Sequence, residues 1–243
     1  MSVRSEARRH RHELGGVVAA YWDRPSPTTI AAFVGAWLLL SGLTFINPGE
    51  TFLQAIAPTV AFALLIAVAL LYIGNERLLV CERGLILGSF APGMRPYVAR
   101  YDQIVPGSLV PVTGARRYAK ETEQRGLSFS TVRRSGWTRQ GIHFVGPSPR
   151  DARRHRAKIG MVLDPPPLTF DGRWAWFAGT GTTQPQRVTA TIAQAAGAAG
   201  AIQLAQATAA APVRELSGNP VDAPQHLPGF PALPDLRGRE ARR

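Results

Sequence analysis

The sequence is poor in cysteine, in lysine and, over one long stretch, in charge of any kind. Cys81 is the only cysteine, so no disulfide can form within the chain, which agrees with a reducing cytoplasm. Lys120 and Lys158 are the only lysines. The net charge of +12 is therefore carried almost wholly by arginine. Frequent Arg, Ala, Gly and Pro fit a GC-rich genome, so arginine in place of lysine is not by itself a functional signal. The five histidines, His10, His12, His143, His155 and His226, have no metal-site spacing. No nucleophile, base and orienting group fall into a catalytic pattern. The sequence thus assigns no catalytic, cofactor-binding or metal-binding residue, and the chain reads as a non-enzyme. No recognition motif accompanies the positive charge, so nucleic acid is not expected as a partner. Gly179-Thr180-Gly181-Thr182-Thr183 precedes a helix. It lacks the Walker lysine and the full glycine fingerprint, so it reads as a loop with a cap rather than a phosphate cradle.

The missing charge organises the rest. Between Arg24 and Glu76 only Glu50 is charged, and it separates two apolar runs, Thr28 to Ile46 and Phe52 to Ile73. A helix of roughly 20 apolar residues crosses about 30 Å of hydrocarbon. Neither run has a polar face, and Pro58 is tolerable in a membrane helix. The expectation is a transmembrane helical hairpin over residues 28–74. The short gap makes its helices antiparallel, and arginine-rich flanks place both termini in the cytoplasm. Residues 1–27 read as a basic tail, with Leu14 to Trp22 as a candidate interfacial helix.

After Gly74 the pattern turns to strands. Leu78 to Cys81 and Leu85 to Gly88 form a hairpin around Glu82-Arg83-Gly84. Further strands are expected at Pro96 to Tyr101, Ser108 to Val112, Gly126 to Val132, Gly141 to Val145 and Arg173 to Ala178. In the last, Trp174 and Trp176 share one face. His143 alternates with Ile142 and Phe144 and is expected to face solvent, whereas Cys81 lies in an apolar strand and reads as a small core residue. Residues 146–171 are an arginine- and proline-rich insertion. A helix is expected from about Gln186 to Ala211, with Thr182 or Thr183 as cap and Pro185 in its first turn. Val188, Ile192, Ala195, Ala199 and Ile202 line one stripe. Pro212 ends it, and the Pro-rich residues 212–243 are expected to be disordered.

Asn75-Glu76-Arg77-Leu78-Leu79-Val80 running into Arg83-Gly84-Leu85-Ile86-Leu87, then Tyr101-Asp102-Gln103-Ile104 and Gln184-Pro185-Gln186-Arg187-Val188, resemble phrases of the bacterial pleckstrin-homology-like membrane proteins. The resemblance covers residues 75–211. It implies a membrane-anchored α+β protein. A transmembrane hairpin would precede a PH-like small β-barrel capped by a long C-terminal helix. It also implies a multi-pass protein of the inner membrane that binds lipids or proteins rather than catalysing a reaction. The expected function is an accessory or scaffold subunit of a membrane complex, acting at the cytoplasmic face. Gly197, Gly200 and Leu204 are candidates for a partner-helix face, and surplus helix length motivates that choice. The alternative is direct binding of anionic lipid. Its candidate contacts are Arg116, Arg117 and Lys120, then Arg133, Arg134 and Arg139, then Arg150, Arg153, Arg154, Arg156 and Lys158.

Overall fold

A computed structural model describes residues 3–45, 52–92, 94–115, 138–152, 174–216 and 227–228. The chain begins with helix α1 (Val3–Leu14) and strand β1 (Val17–Trp22). Leu14 to Trp22 is therefore not an interfacial helix. The short Val-Val-Ala-Ala-Tyr-Trp run forms an edge strand, pairing antiparallel with β2 (Glu76–Cys81) through Tyr21 opposite Leu78 and Trp22 opposite Arg77. β-Branched and aromatic residues suit such a pleated, half-buried position.

Helices α2 (Pro27–Phe45) and α3 (Phe52–Ile73) fill the connection between these two neighbouring strands. Because β1 and β2 are adjacent, the chain must leave and return at one place, which makes the two helices antiparallel. The Trp37 indole N–H donates to the Thr59 carbonyl at 3.2 Å midway along the pair. At its root the Trp22 indole N–H donates to the Gly74 carbonyl at 2.7 Å.

Among the described residues, no helix is long and apolar enough to cross a membrane. This corrects the transmembrane hairpin, the membrane-anchored fold class built on it and the multi-pass inner-membrane location.

β2, β3 (Gly84–Ser89) and β4 (Tyr97–Arg100) complete an antiparallel sheet in the order β1-β2-β3-β4. The second sheet has the order β7-β6-β5-β8, from β5 (Val110–Thr113), β6 (Gln140–Gly146), β7 (Trp174–Gly179) and β8 (Arg214–Glu215). Only β8 runs parallel to its neighbour, β5. Two four-stranded sheets thus stand where a single small barrel was expected. The strand expected over Gly126 to Val132 and most of the 146–171 insertion lie outside the described residues. The described part of the insertion includes a short helix, α4 (Pro149–Ala152).

Both sheets turn one face onto a shared core. Leu78, Val80 and Leu85 come from the first sheet, Phe144 and Trp176 from the second. Tyr97 meets Trp176 edge-on with ring centroids 4.9 Å apart, the favoured aromatic geometry. Trp174 and Trp176 do share a face, with Phe177 on the other. The outer face of the first sheet, including Leu79, Cys81 and Ile86, is covered by Leu14 of α1.

The expected long terminal helix is two helices, α5 (Pro185–Ala198) and α6 (Ile202–Ala209). Gly200 at φ +83° turns the chain, and the Ala201 N–H reaches back to the Ala196 carbonyl at 2.9 Å. This is the left-handed glycine termination of a helix. α6 folds back so far that a Cβ on Gly197 would lie 3.6 Å from the Ala205 Cβ. In a continuous helix eight residues would separate them by about 12 Å. No threonine caps α5: Gln184 precedes it, with no side-chain cap bond.

Candidate interaction surface

The α2–α3 pair carries apolar side chains that no described residue covers. Leu38, Leu39 and Leu43 on α2, and Leu64 and Leu65 on α3, are each more than half exposed. The less exposed side chains of α2 form one stripe, Thr29, Phe33, Trp37 and Ser41, and those of α3 include Phe62 and Ile66, while the leucines named above lie off these stripes. Contiguous exposed apolar surface on this scale marks an interaction site more often than an ordinary exterior.

Charged and aromatic groups gather at the root of the pair. The Arg24 and Arg77 guanidinium carbons lie 3.9 and 4.2 Å from the centroid of the Trp22 ring. Such cation–π contacts hold the strand end where the helices depart. Next to them Asp23 is buried, and the Thr138 hydroxyl donates to its carboxylate. Burial raises the carboxyl's pKa, and the Thr138 bond partly offsets that rise.

The Gly-Thr-Gly loop closes over this same junction. Cβ atoms built at Gly179 and Gly181 would lie 2.4 Å from an Asp23 carboxylate oxygen and 2.2 Å from the Trp22 carbonyl oxygen. The glycines let the loop after β7 approach the end of β1.

The other sequence candidates fall as follows. Gly197 faces α6, Gly200 forms the turn and Leu204 is buried in the main core. Gly197 and Leu204 face inward, whereas Gly200 at the turn is exposed with open space beside it, and the turn divides the helix length that suggested a partner face. Arg139 is exposed. Arg150 lies in α4. Arg116, Arg117, Lys120, Arg133, Arg134, Arg153, Arg154, Arg156 and Lys158 lie outside the described residues.

Cys81 is buried, and burial, followed by the nearby Glu82 charge, pushes its thiol up to about 11. At neutral pH it is a protonated packing residue, not a nucleophile. Asp102 is paired with Arg100 at the surface. Among the described residues, no group of three or more His, Cys, Asp or Glu side chains could hold a metal ion. His143 does not face solvent; it is fully buried under residues of the C-terminal segment. Alternation along β6 correctly separates its face from that of Ile142 and Phe144. It could not reveal that another part of the chain lies on top.

Comparison with known protein families, with curated proteins and with solved structures finds no match. The resemblance to pleckstrin-homology-like proteins rests on the sequence phrases alone.

Proposed function

We propose that this chain is a non-catalytic interaction module, an accessory or scaffold subunit that holds another protein against the apolar faces of α2 and α3. The carrying observation is the set of half- to two-thirds-exposed leucines on these helices. Burying one leucine fully is worth about 1.5–3 kcal/mol, so a few of them suffice for a stable contact. The two-sheet domain supports the pair by fixing both of its ends, through Trp22 and Gly74. The exposed side chains of α2 and α3 carry no charge, which favours an apolar protein partner over anionic headgroups.

A photo-cross-linking residue in place of Leu39 in the full chain tests this, with the same residue in place of exposed Ala190 on α5 as control. The expected result is a discrete adduct to one protein from position 39 and none from position 190. Adducts only to lipid, or equal yields at both positions, would contradict the reading.

A further inference from the structure

The outward side of α1 is a row of arginines with its acids turned elsewhere. Arg4, Arg8 and Arg11 recur at spacings of four and three residues and are all exposed. Such spacing places them on one side of the helix, about 10 Å from first to last. Glu6 is fully buried, and it takes Arg9 at 2.9 Å and His10 at 3.6 Å. Glu13 is half-buried. Among the described residues, Arg4, Arg8 and Arg11 have no ion-pair partner. Arg100 shows the contrast, since its exposed guanidinium is held by Asp102.

The row is fixed to the first sheet and lengthened at its C-terminal end. Leu14 is buried against that sheet. The Arg83 N–H donates to the Leu14 carbonyl at 2.9 Å, and the Glu82 N–H to the Gly16 carbonyl at 3.0 Å. The Arg83 guanidinium donates to the His12 carbonyl at 3.0 Å, in the last turn, where a cation is favoured. That bond brings a fourth exposed arginine to the end of α1. The Glu82 carboxylate lies over Gly15 and Gly16, past the last turn.

We propose that this side of α1 binds an acidic polypeptide segment, a helix with Glu or Asp at the same four- and three-residue spacing. Each guanidinium is permanently charged and presents a planar fork that fits a carboxylate. A ligand helix repeats its side chains with the same rise, so successive carboxylates meet successive arginines. Mounting the row on a helix tied to the sheet reduces the ordering that binding would otherwise require. Faces for single-stranded nucleic acid add aromatic rings on which bases stack; α1 contains none. The surface is charged where α2–α3 is apolar, so the two take different ligands.

The test uses the full chain and a fluorescent helical peptide of alanine with glutamate at alternating four- and three-residue spacing. Fluorescence anisotropy should show binding that weakens as salt rises, and the same peptide with glutamine for glutamate should not bind. Arg8→Glu should weaken binding at least about fivefold, with Arg8→Gln between it and the wild type. Arg187→Glu, at an exposed arginine of α5, changes the net charge equally and should leave the affinity within about twofold, as expected of a distant screened charge. All three variants should unfold at the wild-type temperature, since both positions are exposed. Equal losses in Arg8→Glu and Arg187→Glu would reduce the effect to net charge and overturn the proposal. So would tighter binding of a duplex DNA of equal charge, or of phosphatidylglycerol vesicles, than of the acidic peptide.

Discussion

The molecule holds two helical hairpins made largely of the same small and aliphatic residues, yet their surfaces are opposite. In α5–α6, Val188, Ile192, Ala195 and Leu204 enter the main core, while Gln186, Arg187 and Gln194 face outward. In α2–α3 the outward positions are leucines and valines. An amphipathic helix is satisfied by one sheet to lie on. A helix apolar all round has more apolar surface than the described residues cover here. The first hairpin is finished within the protein. The second asks for something outside it.

The comparison is broken most severely by charging the outward leucines. Leu39→Arg together with Leu65→Arg should weaken association with the partner by at least about a hundredfold, since two buried leucines contribute about 3–6 kcal/mol and each 1.4 kcal/mol is about tenfold. The same pair should leave the unfolding midpoint of the domain almost unmoved. Ile192→Ala, on the other hairpin, should destabilise the fold by about 2–5 kcal/mol, read from urea unfolding. Gly200→Ala forces a side chain into the left-handed turn between α5 and α6, at φ +83°, and should cost about 1–2 kcal/mol. Gln194→Leu, on the exposed face of α5, should shift stability by less than about 0.5 kcal/mol.

The sequence was most readable where one local rule decides the outcome. The hairpin around Glu82-Arg83-Gly84 follows from turn chemistry between apolar runs, and β2 and β3 lie where those runs predict. The two tryptophans of β7 share a face because strand alternation leaves no other choice. Other features were set by distant partners. β1 is six residues abutting a longer apolar run, and only pairing with β2 across the helical insertion makes it a strand. The break at Gly200 had one local sign, a glycine at a helix end, but alanines on both sides masked it. His143 shows the limit most plainly. Period-two alternation assigns a residue to a face, not to solvent, and Pro228, far along the chain, lies against His143 on that face. The membrane hairpin was a reading of hydropathy, and the described helices do not support it.

Carbene footprinting at Leu64 and Leu65 bears most directly on the central idea, comparing the isolated full chain with the particle in which it is gently recovered. Reactivity at these leucines should fall severalfold in the particle while Ala190 on α5 stays unchanged. Equal labelling of Leu64 and Leu65 in the two preparations would contradict the assignment of α2–α3 as the surface that meets a partner.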